Sequence, residues 1–60
     1  MSLYNLGCAY ALLGRADEAF ERLGRAADAG YADRRQYEGD PDLAALRADP
    51  RWAGLLARTR

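Results

Sequence analysis

"SLYNLGCAYALLG", residues 2–14, carries no charged side chain, in a chain of only sixty residues. How water is kept off that stretch decides the fold. Leu3, Leu6, Tyr10 and Leu13 recur at helical spacing and form one apolar face. Tyr4, Cys8, Ala11 and Leu12 form a second, and only Asn5 is strongly polar. Ser2 is a candidate N-cap, and Gly14 stands where a helix ends just past its last apolar residue. The spacing predicts a helix over residues 2–13 that is touched on two sides.

The rest of the composition points the same way. Lysine, histidine, valine and isoleucine are absent, while thirteen alanines and nine leucines favour helix over strand. The expected fold class is all-α. Nine arginines balance nine acidic residues, so no net field draws the chain to nucleic acid or to an anionic membrane. A domain of this size buries only about 60% of its unfolded surface and is marginal without staples or partners. Cys8 is the single cysteine, which excludes an internal disulfide and fits a reducing, cytoplasmic setting. Without histidine a structural zinc site is not expected. No basic region precedes the opening stretch, as a signal peptide requires, and a membrane span needs about 20 apolar residues, whereas charge begins at Arg15.

A second helix is predicted over residues 16–29. Asp17 and Glu18 suit the positive end of its dipole, and Ala19, Phe20, Leu23, Ala26 and Ala27 make a single apolar stripe. Glu18 with Arg22 and Glu21 with Arg25 have the spacing of helical charge pairs. Gly24 suits a close approach between helices, and Gly30 ends the element. Beyond it stand two Asp-Pro steps nine residues apart, at Asp40-Pro41 and Asp49-Pro50. Aspartate caps a helix and proline fits its first turn, while the residue before a proline is kept out of helix. Short helices are therefore expected at about 33–38, 41–47 and 50–58. Tyr37, Leu43, Leu46, Trp52, Leu55 and Leu56 are their expected docking residues.

Leu3, Leu6-Gly7, Tyr10, Ala19, Leu23 and Ala26 match in register the small and large positions of one motif, W-x2-L-G-x2-Y followed by A-x3-F and a closing proline. On these residues the first thirty-one positions resemble a tetratricopeptide repeat. Three positions depart from the pattern: Leu3 replaces the tryptophan, Leu23 the phenylalanine, and Tyr31 stands where the proline would close the unit. The lost proline fits a last repeat, and "DPDLAALRADPRWAGLL" resembles the ending of bacterial proteins that carry such repeats. The resemblance implies an antiparallel helical hairpin over 1–31 with a helical cap over 32–60, together one compact domain. It also implies that Leu3, Leu6, Gly7, Tyr10, Ala19, Leu23 and Ala26 pack the repeat. Tyr4, Cys8, Ala11 and Leu12 would then line the concave surface on which the family binds peptides or protein segments.

That second stripe has two readings. It is either an open groove for an apolar or amphipathic partner, or core covered by a folded-back tail, a preceding repeat or a second copy; large bare apolar patches are uncommon on soluble monomers. A homodimer through the first helix satisfies both. Cys8 lacks a histidine to activate it and reads as packing. Asp40 and Asp42 with Glu38 lack the ligand series of a calcium loop, and capping and dipole roles explain them without a metal. Trp52 reads as the anchor of the last helix. Arg34, Arg35, Arg47, Arg51, Arg58 and Arg60 are interleaved with five acids, which argues against a nucleic-acid surface. One serine, one threonine and one cysteine do not furnish a catalytic constellation, and no cofactor is expected. The expected function is a non-catalytic module that offers an apolar helical surface to a protein or peptide. The alternative is a carboxyl-terminal structural cap of a longer repeat array in a multidomain enzyme or regulator.

Overall fold

Helix α1 spans Leu3–Leu12 in the computed structural model, which describes residues 2–60; the first residue of the expected 1–31 hairpin lies outside the described residues. Ser2 caps α1, its hydroxyl accepting from the Asn5 N–H at 3.1 Å. The helix ends one residue earlier than its apolar pattern suggests, with Leu13 as C-cap. Gly14 follows at φ +76°, the Arg15 N–H reaches the Tyr10 carbonyl at 2.9 Å, and the Gly14 N–H reaches that of Ala11 at 3.1 Å. Those paired bonds satisfy the last carbonyls of the helix through a left-handed glycine.

Helix α2, Ala16–Asp28, ends by the same device. Gly30 has φ +106°, with Tyr31 N–H on the Ala26 carbonyl (3.0 Å) and Gly30 N–H on that of Ala27 (3.1 Å). The two helices cross at Gly7. A Cβ there would stand 2.6 Å from Leu23 Cγ and 3.3 Å from the Leu23 backbone nitrogen. Leu23, Ala19 and Ala26 are buried beneath that crossing, and Leu3 and Tyr10 are partly buried against it. Glu21 pairs with Arg25 at 3.4 Å as the spacing predicts. The expected Glu18–Arg22 pair does not form. Glu18 takes Arg15 instead, and Arg22 takes Glu21 while its guanidinium lies 5.8 Å from the Tyr10 ring. These are exposed pairs, worth at most about 1 kcal/mol each.

The tail folds into α3 (Arg34–Gly39), a 3-10 helix (Pro41–Leu46) and α4 (Arg51–Ala57). Each opens at an aspartate: Asp33, Asp40 and Asp49 accept from the N–H two residues on, at 3.0, 2.9 and 2.9 Å. The middle element was expected as an ordinary helix and is wound more tightly. A 3-10 helix rises about 2.0 Å per residue against 1.5 Å, so six residues cover the span that eight would need in an α-helix. Arg47 closes this corner, its guanidinium donating to the carbonyls of Glu38 (2.7 Å) and Asp40 (2.8 Å) while lying 5.6 Å from the Trp52 ring.

The tail also closes on itself. Arg60 N–H donates to the Ala32 carbonyl at 2.7 Å, and Arg34 N–H donates to the Arg60 carbonyl at 3.0 Å. The Arg34 side chain adds bonds to the Leu56 carbonyl (3.0 Å) and to the hydroxyl of buried Thr59 (3.4 Å). The fold is thus all-α, an antiparallel hairpin with a looped-back helical tail and no strand among the described residues. None of its helices is long and apolar enough to cross a membrane, among the described residues.

Candidate functional site

The second face of α1 is where the sequence places a partner, and the chain's own tail lies on most of it. The 3-10 helix packs against α1. Tyr4 and Ala11 are each 4% exposed and Cys8 7%, in one cluster with Tyr37, Leu43, Leu46 and Leu55. Of the two readings of that stripe, the folded-back tail is the arrangement present. Trp52 and Leu56 pack at the edge of the same cluster, half-buried.

Leu12 is the exception. The sequence places it on the same stripe, yet it is 66% exposed: one residue past Ala11, it is turned about 100° around the helix axis from the buried line of Tyr4, Cys8 and Ala11. Leu13 was assigned to the packing face and is 70% exposed. It is the C-cap residue, where the chain turns toward Gly14. Leu6, expected in the hairpin interface, is only half-buried and is outside the core cluster. Leu6 and Leu13 are seven residues apart, two helical turns, and so share one side of α1. Gly24, expected to admit a helix, instead admits a side chain: the Arg58 guanidinium lies where its Cβ would stand.

A polar knot lies within the covered face. The Tyr4 hydroxyl donates to Asp40 Oδ2 at 2.7 Å, and the Cys8 thiol donates to the same oxygen at 3.8 Å. The Tyr4 ring meets Tyr37 edge-on at 5.1 Å and tilts over Tyr31 at 4.9 Å. Tyr37 in turn donates to the Tyr31 carbonyl at 2.5 Å. Burial pushes the Cys8 thiol up to about 11, with the Asp40 charge adding to the effect. Burial and the bond to Asp40 likewise raise the Tyr4 phenol far above its ordinary value. Burial would raise Asp40, but donors from Tyr4, the Asp42 N–H and Cys8, with the Arg47 charge, together hold it below the usual carboxylate range.

Cys8, Asp40 and Asp42 bring one potential ligand atom each within 4.8 Å of one another, the nearest approach to a metal-binding set among the described residues. Cys8 and Asp40 are already engaged. The thiol is held protonated, Asp40 Oδ2 takes two donors and its Oδ1 takes the Asp42 N–H. A groove of about 350 Å³ between α2 and α4 is lined by Phe20, Arg51, Gly54, Leu55 and Arg58. Its guanidiniums are engaged as well, Arg51 by Asp17 and Asp49, Arg58 by Asp28, and Arg51 also stacks 4.6 Å over Phe20. Comparison with family models, with curated proteins and with solved structures finds no match to this chain.

Proposed function

We propose that the chain is a non-catalytic protein-interaction module, a tetratricopeptide-type hairpin with a helical cap, that presents an apolar helical surface to a protein, a peptide or a second copy of itself. One observation carries the reading: two large apolar side chains, Leu12 and Leu13, stand bare at the end of a helix with no charge along its length. The crossing at Gly7 over Leu23, with Ala19 and Ala26 buried below it, supports the repeat-type hairpin. Sedimentation at micromolar concentration, with and without candidate peptides, tests it. Association that Leu12→Glu with Leu13→Glu abolishes, at unchanged helicity, supports the module. A parent chain that stays monomeric, binds no peptide and captures no apolar dye counts against it.

A second reading has its own support in the unequal sides of α1. The tail seals the Tyr4, Cys8 and Ala11 side, while Leu6, Leu12 and Leu13 are left partly or wholly open. That asymmetry suits the terminal unit of a stacked array, sealed outward and apolar toward its neighbour. Area favours a tethered neighbour over a free copy. A ten-residue helix is about 15 Å long, and one side of it falls short of the roughly 800 Å² per partner of a standard interface. A reading frame that continues upstream through further helical hairpins favours the cap.

A further inference from the structure

Trp52 and the four tyrosines are the aromatic side chains of this protein that give up an electron most readily, and their surroundings differ. The guanidiniums of Arg15 and Arg22 lie 5.2 and 5.8 Å from the Tyr10 ring, and that of Arg47 lies 5.6 Å from Trp52. A positive charge beside a ring opposes the loss of an electron from it. Tyr37 is fully enclosed and donates to a carbonyl, which is a weak base. Tyr4 alone, among the described residues, sets its hydroxyl against a carboxylate, Asp40 Oδ2 at 2.7 Å. Its ring also lies 4.9 Å from that of Tyr31, which is 48% exposed. A buried phenol with a base in place thus stacks on a phenol open to solvent.

We propose that Tyr4 is a protected radical site, to which a one-electron oxidation entering at Tyr31 passes, with the Tyr4 hydroxyl proton crossing to Asp40. This activity is independent of the interaction reading, and it needs no movement of the tail.

A one-electron oxidant at the surface takes an electron from the Tyr31 phenol, whose proton leaves to water. Tyr31 then regains both, the electron from Tyr4 and the proton from water. The Tyr4 O–H bond breaks, its proton forms an O–H bond on Asp40 Oδ2, and a neutral phenoxyl is left at Tyr4. An oxidised phenol is a strong acid, so the base already in place makes Tyr4 easier to oxidise than Tyr31. The pair of Tyr4 and Asp40 also passes from one negative charge to none, a change that burial favours. At 4% exposure the Tyr4 radical is out of reach of other molecules, whereas a phenoxyl on Tyr31 couples with one on a second chain.

Flash-generated tris(bipyridyl)ruthenium(III) serves as the oxidant, applied to the full chain at neutral pH, and the yield of dityrosine-linked dimer is read by fluorescence and by gel. Little dimer is expected from the parent, because the radical leaves Tyr31. Tyr4→Phe keeps the stacked ring but has no proton to give to Asp40, so dimer should rise several-fold. Tyr4→Phe combined with Tyr31→Phe should return it to the parent level. A Tyr4→Phe yield equal to the parent's overturns the proposal, as does a raised yield that persists in the double variant. Should Tyr4→Phe not fold, high-field electron paramagnetic resonance of the frozen parent decides by itself. One phenoxyl with a single well-defined hydrogen bond, from the new Asp40 carboxyl, is expected. A phenoxyl with the spread of a water-exposed tyrosine, or a tryptophan radical, overturns the proposal.

Discussion

The Tyr4 hydroxyl and the Asp40 carboxylate meet at 2.7 Å across thirty-six residues of chain. One end of that bond belongs to the leading helix and the other to the cap of the 3-10 helix, so it ties the two halves of the protein together. The surface that the sequence offers to a partner is thereby enclosed within the chain itself.

Removing only the hydroxyl tests how much that tie contributes. Tyr4→Phe keeps the ring against Tyr31 and Tyr37 but leaves Asp40 Oδ2 with the weak thiol donor alone. A loss of about 1.5 kcal/mol is expected, as for a hydrogen bond to a charged group. Urea unfolding followed by circular dichroism measures it, and a change below a few tenths of a kcal/mol means the bond is incidental.

Two glycines should respond in opposite directions. Gly7→Ala places a methyl group 2.6 Å from Leu23 Cγ and 3.3 Å from the Leu23 backbone nitrogen, and should cost about 1–3 kcal/mol by overpacking. Gly54 lies inside α4 with nothing within 4 Å of its would-be Cβ, so Gly54→Ala should stabilise by about 0.5–1 kcal/mol through helix propensity. Thermal melts of the two variants, one down and one up, check both.

Stability should fall on the alkaline side. The Cys8 thiol titrates near 8.5 unfolded and near 11 folded, so its neutral form stabilises the folded chain fully below about 8.5 and loses that effect as pH rises toward 11. Tyr4 acts in the same direction at still higher pH. Asp40 works from the acid side, its stabilisation present above about 3.9 and lost as pH falls through its lowered folded value. Melting temperature against pH should therefore decline at both ends. Cys8→Ala flattens the decline above pH 8.5, and an unchanged alkaline limb in that variant contradicts the assignment.

Arg47 should not be replaceable by lysine. Its guanidinium donates to the carbonyls of Glu38 and Asp40 while lying 5.6 Å from Trp52. A lysine ammonium lacks the planar fork for that double role. Arg47→Lys should cost about 1 kcal/mol, the usual worth of such bonds at an exposed site. A shift in Trp52 fluorescence should accompany it, and an unshifted spectrum means the guanidinium does not order that ring.

Much of the architecture is legible in local signals. Gly14 and Gly30 mark helix ends because their left-handed φ suits no other residue well, and the aspartates at 33, 40 and 49 open the tail helices through bonds to N–H groups two residues on. Gly7 and Leu23 hold a small and a large position of the repeat pattern that the first thirty-one residues resemble, and the helices cross there. Other features carry no local mark. The clasp between Ala32 and Arg60 is a pairing of backbone groups, which every residue possesses. Asp40 reads as a helix cap, and one of its oxygens is one, but its other oxygen serves Tyr4 and Cys8 from a distant helix.

Spacing, capping and composition alone determined that this chain is helical, where most of its helices begin and end, and that its first helix is apolar on more than one side. Only the tertiary structure decided which side is shut. Periodicity specifies a face but not its occupant, because what docks on it is set by contacts distant in sequence. Tyr4, Cys8 and Ala11 are buried in one cluster with Leu43 and Leu46 of the 3-10 helix, while Leu12 and Leu13 are left in water.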